Sequence, residues 1–268
     1  MRQRLRIVHR TRFEYERPIR ETVMEVRVQP ASSAAQRLVQ FDFEVSPKGR
    51  VSSYRDGFGN AVHHLERPDP LQVLELVATS LVETTGRPES AAPGPPPLDM
   101  LRFGGPVNDL PGIRRLAAAP SRLVDRAGYL EDLTNRVAGW LHYEKGATSV
   151  HSDVAEVLSL RAGVCQDFAH VLIACCRWAG IPARYVSGYV FEGEGASHES
   201  HAWTEAWIPG SGWLGLDATH PVRAGANHVK VAVGSDYTDC APTRGVFVGD
   251  GGTSTMTATV SVTSAHPT

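Results

Sequence analysis

Residues 163–182 of this 268-residue chain, GVCQDFAHVLIACCRWAGIP, carry the pattern that decides the fold of its second half. Apolar side chains recur at the spacing of one helical face, at Phe168, Leu172, Cys175 and Ala179. The run stops at Gly180, two residues before Pro182, and this order is typical of a helix end. The pattern therefore predicts a helix that begins close to Cys165.

The position of Cys165 in the first turn of that helix is suited to nucleophilic chemistry. Unpaired backbone N–H groups and the positive end of the helix dipole favour a thiolate there. The same N–H groups can hold the oxyanion of a tetrahedral intermediate. A lone cysteine is nevertheless more often a buried structural residue, so the interpretation depends on finding a base.

A candidate base and a candidate acid follow downstream. His201 opens the predicted strand of residues 201–207, and Asp217 ends the next predicted strand. A carboxylate beside an imidazole fixes the tautomer of the ring and stabilises the imidazolium, which completes the logic of a Cys-His-acid triad. The spacing alone is also compatible with a surface histidine and an ordinary aspartate at a strand end.

The connection between these two strands sets a requirement for the triad. A four-residue hairpin loop at residues 209–212 would place Asp217 opposite Thr204, on the face away from His201. The triad therefore requires a three-residue or five-residue connection, or a β-bulge. We expect His201 and Asp217 on one face of adjacent antiparallel strands, within hydrogen-bonding reach, with Cys165 at the other imidazole nitrogen.

Four segments are predicted along the chain. Alternating apolar and polar residues from about 5 to 81 predict antiparallel strands, and we assign residues 1–86 to an amino-terminal β-sandwich domain. The proline-rich residues 87–105 are predicted as a linker. Helical spacing follows, so residues 106–250 are assigned to a catalytic core, and residues 251–268 to a weak strand or tail.

Composition and charge exclude several classes of protein. The chain has 27 Lys and Arg against 29 Asp and Glu, and 42% hydrophobic residues, which is ordinary for a globular protein. Acids offset the arginines nearly everywhere, so no nucleic-acid partner is expected. No long apolar window and no signal-like start are present in the sequence, so we expect a cytoplasmic protein without a membrane partner, with reduced cysteines.

Metal binding is also an unfavourable interpretation of the histidines. His198 and His201 lie three residues apart, whereas helical histidine ligands usually come four apart, and no third soft ligand lies near them in the sequence. We therefore expect no metal, and the proposed chemistry requires no organic cofactor.

Four sequence blocks together resemble the bacterial transglutaminase-like superfamily, which is related to papain-like cysteine proteases. The blocks are residues 163–170, 179–189, 201–207 and 216–221. They occur in the order of the family's signatures, and the resemblance spans about residues 128–250. Residues 54–60 are similar to the amino-terminal β-domain of one bacterial branch, and residues 236–245 to the closing motif of that branch.

The resemblance implies roles for three residues. Carried over position by position, it makes Cys165 the nucleophile, His201 the base and Asp217 the orienting acid. One departure is Ala218, where many relatives have proline after the aspartate. We further expect Tyr143, Trp203 and Gln166 to contact a peptide or protein substrate, while the sequence leaves the oligomeric state open.

The fold and the reaction follow from the same resemblance. It implies an α+β fold, in which a papain-like core of helices packed on an antiparallel sheet follows the β-sandwich. It also implies acyl transfer through a thioester on Cys165. We expect a cysteine protease or amidase, because amine transfer needs a cleft that excludes water and the sequence shows no long lid. Two alternatives stay open, a transglutaminase that transfers a glutaminyl acyl group to an amine and a non-catalytic peptide-binding module.

Overall fold

The computed structural model describes residues 2–86, 96–118, 125–194 and 199–265, and the predicted α+β fold is confirmed. The amino-terminal strands are β1 (Gln3–Ile19), β2 (Glu21–Val26), β3 (Gln36–Ser46), β4 (Arg50–Arg55), β5 (Ala61–Arg67) and β6 (Leu71–Thr84). Two strands from the other end of the chain, β14 (Thr243–Val248) and β15 (Ser254–Ser264), join them. The result is two antiparallel sheets, with the strand orders β15-β1-β6-β3 and β14-β2-β5-β4.

These two sheets pack face to face because their strands alternate between buried and less buried residues. In β6, Leu74, Leu76 and Ala78 are buried while the residues between them are partly exposed. They share one apolar core with Val26 of β2 and Leu65 of β5 in the other sheet. The predicted sandwich is therefore present, with the last two strands of the chain added to it.

The second part of the chain builds the helical unit. Its helices are a 3₁₀ helix (Leu98–Leu101), α1 (Pro111–Leu116), α2 (Arg126–Trp140), α3 (Val154–Leu160), α4 (Cys165–Trp178) and α5 (Tyr237–Cys240). Its strands are β7 (His142–Tyr143), β8 (Ala162–Gly163), β9 (Ala183–Val190), β10 (Ser200–Ile208), β11 (Gly212–Asp217), β12 (Val222–Arg223) and β13 (His228–Gly234). The last five form an antiparallel sheet in the order β12-β11-β10-β9-β13, and β7 pairs in parallel with β8. Among the helices of the described ranges, none is long and apolar enough to cross a membrane.

Helix α4 lies at the centre of this unit. Twelve of its fourteen residues are buried, and it packs on β10, where the Thr204 hydroxyl donates to the carbonyl of Ala169 at 3.1 Å. The helix begins at Cys165 as predicted, and Gly180 follows its end with a φ of 71°, a left-handed conformation that suits glycine. The start and the end of this helix are thus determined by local sequence.

The sandwich and the helical unit share a continuous apolar core. Leu5 and Ile7 of β1 and Val262 of β15 belong to the same buried cluster as α4. Beside them the Tyr189 hydroxyl of β9 lies 2.8 Å from Nδ1 of His9, and burial lowers the pKa of His9 to about 4. A neutral histidine therefore bridges the two parts of the protein, and β1 and β15 are held against the helical unit.

The predicted segment boundaries need correction at the end of the chain. Residues 243–248, assigned to the catalytic core, form β14 and pair with β2, and residues 254–264, assigned to a weak strand or tail, form β15 and pair with β1 along its length. Alternating threonine, methionine and valine residues form a strand here because they pair with an edge of β1 that no other strand of the described ranges occupies. Of the predicted linker, residues 87–95 lie outside the described residues, and the 3₁₀ helix lies in the remainder.

Candidate active site

The amino-terminal end of α4 is shaped by Asp167. Its Oδ2 accepts the N–H of Val164 at 2.7 Å and the hydroxyl of Thr148 at 2.6 Å. Burial of this carboxyl raises its pKa, against the effect of the two hydrogen bonds. A Cβ on Gly163 would come within 2.4 Å of the same Oδ2, so a side chain there would displace Asp167. The half-buried Cys165 follows this fixed turn, where first-turn N–H groups have no helical carbonyl to bond.

The strand register brings the predicted base and acid to one face. Ile208 pairs with Gly212, so the connection has three residues, and Gly210 within it has a φ of 78°. Thr204 pairs with Leu216, and the next step of the register sets Asp217 on the same face as His201. One of the offset connections required by the sequence argument is therefore present.

His201 links the thiol to the carboxylate. Its Nε2 lies 2.8 Å from Asp217 Oδ2, which leaves Nδ1 as the ring nitrogen free to act toward Cys165, and Cys165 and His201 line the same two cavities. Burial alone would lower the pKa of His201, but the hydrogen bond with Asp217, the polar interaction with Cys165 and the charges of both partners raise it to about 10. At neutral pH the ring is therefore an imidazolium, which can act as a proton donor. The predicted placement of the two side chains within hydrogen-bonding reach is confirmed.

Asp217 is held by more groups than the sequence argument anticipated. It is fully buried, and Oδ2 also accepts hydrogen bonds from Nδ1 of His220 at 2.9 Å and Nε2 of His228 at 3.3 Å. Its other oxygen, Oδ1, accepts the N–H of Thr219 at 2.9 Å. Burial would raise the pKa of Asp217, but the three histidines outweigh it and hold the pKa well below its usual range. The carboxylate is therefore ionised at neutral pH.

Only one of the two additional histidines has a sequence signal that could have identified it. His220 lies three residues after Asp217 within the last signature block, and the hydrogen bond to Asp217 raises its pKa. His228 carries no sequence signal, since it reaches Asp217 from β13. Its Nδ1 accepts the N–H of Gly225 at 3.2 Å, so its proton lies on Nε2, facing the carboxylate.

His201, Asp217 and His220 also offer ligand atoms within 4.8 Å of one another, as a metal site would. Both histidines instead point a ring nitrogen at the same carboxylate oxygen, and such contacts require a proton on each nitrogen. The donor set therefore fits a hydrogen-bonded network around a carboxylate better than a metal centre. His198, weighed with His201 as a metal pair, lies outside the described residues.

Two cavities meet at Cys165 and His201. One, of about 330 Å³, extends to the amino-terminal sheet, and the other, of about 360 Å³, extends past Glu192 and His220. The first is lined on the sheet side by His9, Thr11, Met256, Ala258 and Val260. Sequence reasoning missed this wall, because β1 and β15 come from the two ends of the chain.

The three predicted substrate contacts have different positions. Tyr143 is 42% exposed and lines both cavities, and burial together with the charge of Cys165 raises its pKa. Gln166 lines the cavity of about 330 Å³, and its side-chain amide donates to the carbonyl of Val150 at 3.2 Å. Trp203 lines neither of these two cavities, so its contact with a substrate stays a prediction. It points to the same face as His201 but two residues further along β10, where its ring packs edge-on against His228.

Comparison with known proteins identifies the family of this chain. The family model described as "transglutaminase-like superfamily" matches residues 117–218. The family model described as "bacterial transglutaminase-like N-terminal region" matches residues 5–83. An uncharacterised protein of Mycobacterium leprae is 32% identical over 272 residues, covering 93% of this chain and 95% of the relative. A protein-glutamine gamma-glutamyltransferase of Pseudomonas aeruginosa is 40% identical over 74 residues, covering 23% of this chain and 10% of that enzyme.

The fold also has a close counterpart among solved structures. A candidate cysteine protease from Cytophaga hutchinsonii superposes with a TM-score of 0.82 at 21% identity, covering all of this chain and 92% of that one. The likeness therefore extends over the sandwich, the helical unit and the two strands that return to the sandwich. The chain belongs to the transglutaminase-like superfamily, in the bacterial branch with the amino-terminal β-region.

Proposed function

We propose that the protein is a thiol-dependent acyl-transfer enzyme that hydrolyses peptide or carboxamide bonds through a thioester on Cys165. The observation that carries the proposal is the arrangement of three side chains at the active site. Cys165 lies in the first turn of α4 and lines the same two cavities as His201, whose Nε2 is 2.8 Å from the buried carboxylate of Asp217. This arrangement prepares a nucleophile, a proton donor and an orienting acid in one place.

The proposed reaction proceeds in two steps. In the first, the thiolate Sγ of Cys165 attacks the carbonyl carbon, and first-turn N–H groups of α4 stabilise the oxyanion. The imidazolium of His201 gives its Nδ1 proton to the leaving nitrogen, the C–N bond breaks, and the thioester remains. In the second, His201 Nδ1 takes a proton from water as the water oxygen attacks the thioester. The C–S bond breaks, the carboxylic acid leaves, and the ion pair is restored.

Asp217 keeps its charge throughout this cycle. Its hydrogen bond to Nε2 leaves Nδ1 free to act toward Cys165, and its charge stabilises the imidazolium. The hydrogen bonds from His220 and His228 position the carboxylate in turn, because they fix Oδ2 from two further directions.

The molecule that attacks the thioester decides between hydrolysis, with water, and transfer, with an amine. The exposed Tyr143 and Met256 line the cavity that holds Cys165, so water has access to a thioester there, which favours hydrolysis. The short likeness to a protein-glutamine gamma-glutamyltransferase favours the second candidate, a transglutaminase. The third interpretation, a non-catalytic peptide-binding module, leaves the arrangement of Cys165, His201 and Asp217 without a purpose.

A single experiment separates these reactions. The protein is incubated with a library of peptides and carboxamides, with and without a primary amine, and the products are analysed by mass spectrometry. Hydrolysis gives cleaved or deamidated products whether or not the amine is present, whereas transfer gives an amine adduct. Cys165→Ala is expected to abolish both, and Cys240→Ala, which removes a buried thiol that lines neither cavity, is the matched control. Turnover that survives in Cys165→Ala would contradict the proposal.

A further inference from the structure

Strand β15 has an unusual edge. It lies at the end of the sheet order β15-β1-β6-β3, so one of its edges pairs with β1 and the other has no neighbouring strand among the described residues. Its eleven residues, STMTATVSVTS, include neither a charge nor a proline. Edge strands are normally protected by such residues, because a free edge pairs readily with another extended chain.

The hydrogen bonds at the two ends of β15 show which backbone groups face outward. Ala265 N–H donates to the Arg4 carbonyl at 2.7 Å, and Glu16 N–H donates to the Thr253 carbonyl at 2.9 Å. The register between these ends is continuous, so the odd-numbered residues of β15 bond to β1. The even-numbered residues turn their N–H and C=O groups away from it. Ser264 agrees, since its N–H donates to Glu194 at 2.8 Å.

Three of these even-numbered residues also line the cavity that contains the candidate nucleophile. Met256, Ala258 and Val260 line the cavity of about 330 Å³ that contains Cys165 and His201. In the described ranges, no residue bonds their outward N–H groups. The same three residues therefore present a free backbone edge and an apolar surface on one side of the cleft.

The position of this edge relative to the thiol is held by buried contacts. Val260 pairs with His9, and Ala258 pairs with Thr11. The Tyr189 hydroxyl lies 2.8 Å from Nδ1 of His9, while Thr11 Oγ1 lies 3.2 Å from Nε2 of the same ring. Since Tyr189 belongs to β9 of the helical unit, β15 is fixed as part of the cleft.

We propose that the free edge of β15 binds the substrate peptide as an added antiparallel or parallel strand, with Met256, Ala258 and Val260 contacting its side chains. The inference rests on the proposed function, and it names the substrate class as an extended, unfolded peptide segment with small or apolar residues on both sides of the reacting carbonyl. Backbone pairing supplies affinity and the apolar side chains supply selectivity. A folded protein presents such a segment only at a terminus or a loop.

The first test compares two proline variants. Ala258→Pro removes an outward N–H beside the cleft, and Ser254→Pro removes one on the same edge but outside the cavity, so neither removes a hydrogen bond to β1. The probe is the acetylated heptapeptide amide Ac-Ala-Val-Ala-Gln-Ala-Val-Ala-NH2. The readout is the protection of Cys165 from iodoacetamide, relative to the rate of each variant without peptide. We expect Ala258→Pro to need about tenfold more peptide for half-protection, and Ser254→Pro to behave as the wild type.

The second test leaves the protein unchanged, in case Ala258→Pro does not fold. The same heptapeptide is prepared with one N-methylated amide at each position in turn, and its protection of Cys165 is measured on the wild type. Strand pairing predicts an alternating pattern, because only every second amide of a paired strand faces its neighbour. Equal effects at all positions, or no protection by any peptide, would overturn the proposal.

Further outcomes separate this proposal from the proposed function. Alternating protection by the heptapeptide, with no product from any member of the peptide and carboxamide library, would refute hydrolysis and transfer but support the binding strand. Product formation that depends neither on Ala258 nor on N-methylation of the peptide would support the proposed function and refute the binding strand. A wild-type dimer that dissociates on Ala258→Pro, detected by sedimentation, would show that a second copy occupies the edge and would overturn the proposal.

Discussion

The substitution Asp217→Asn removes the charge on which the imidazolium depends while it keeps the shape of the side chain. Three histidine nitrogens approach one oxygen of Asp217, at 2.8, 2.9 and 3.3 Å. An amide can offer only one acceptor oxygen and carries donors on the other side. The variant therefore weakens the interaction with His201 and leaves at least part of the surrounding hydrogen bonding unsatisfied.

The geometry sets the size of the effect. Asp217 is fully buried and the side chain of His201 is 10% exposed, so solvent screens the pair little. A hydrogen bond to a charged group contributes about 1.5–3 kcal/mol, which corresponds to about one to two pKa units. The pKa of His201 is therefore expected to fall from about 10 by that amount. The same free energy, lost from the transition state, predicts a reduction of kcat/KM of about 10- to 150-fold.

Two measurements test this prediction. Where the peptide library has provided a substrate, the alkaline limb of the pH profile of kcat/KM moves to lower pH in Asp217→Asn, since His201 loses its proton earlier. Independently of any substrate, Cys165 is alkylated more slowly by iodoacetamide at neutral pH in Asp217→Asn, because a less stable imidazolium assists the attacking sulfur less. Asp236→Asn makes the same change at a helix N-cap, where asparagine serves as well as aspartate, and both measurements should match the wild type.

Two results would refute the reasoning. An unchanged alkaline limb in a folded Asp217→Asn protein would mean that the carboxylate does not set the protonation of His201. An equal change in Asp236→Asn would mean that the effect comes from the net charge of the protein. Circular dichroism and a melting curve of each variant establish that the comparison is made between folded proteins.

Three further predictions concern reactivity, pH and packing. Cys165 should be the first thiol alkylated in the folded protein, because the other three cysteines are buried. Burial raises the pKa of Cys176, for example, to about 12. Equal labelling of all four cysteines, measured by peptide mass spectrometry, would contradict this prediction. The pKa of buried His9 is about 4 in the folded protein, against 6.5 for the free side chain. Above pH 6.5 this histidine is neutral in both states and does not lower the free energy of unfolding. As the pH falls from 6.5 toward 4, only the unfolded chain takes up the proton, so the free energy of unfolding decreases. This loss, at most about 3 kcal/mol in urea titrations, should shrink in His9→Gln. Gly188→Ala should destabilise the protein by about 2 kcal/mol or more, since its Cβ would lie 2.2 Å from a backbone carbonyl and 2.6 Å from the ring of Trp203; an unchanged melting temperature would count against this packing.

The network around Asp217 connects stability to the proposed chemistry. A carboxylate that receives three histidine hydrogen bonds remains ionised, and its buried position makes the charge effective at His201. The two additional donors also share the negative charge, so they restrain Asp217 at the cost of part of its effect on the imidazolium. His228, with its proton fixed on Nε2 by Gly225, is the rigid member of the pair, whereas the exposed His220 can also reach Glu192 at 3.3 Å.

Local sequence was sufficient for the features that depend on neighbouring residues. The start of α4 at Cys165 and its end before Gly180 follow from helical periodicity and end signals, which act over a few residues. The alternation of β6 is local in the same sense, whereas the sequence left the connection before Asp217 open between three residues, five residues and a bulge, and the structure has three. The requirement that His201 and Asp217 share a face could be derived because strand geometry has a fixed period of two. The resemblance to a family then selected these residues among the other histidines and aspartates.

Tertiary structure alone decided the features that join distant parts of the chain. The alternating residues of β15 predicted at most a weak strand, and only the exposed edge of β1 turned them into a cleft wall beside Cys165. His228 reached Asp217 through the pairing order of the sheet, and Trp203, two residues along β10 from His201, packs edge-on against the same His228. Periodicity determines which face of a strand is apolar, but the neighbour that covers that face is set by the packing of the whole chain.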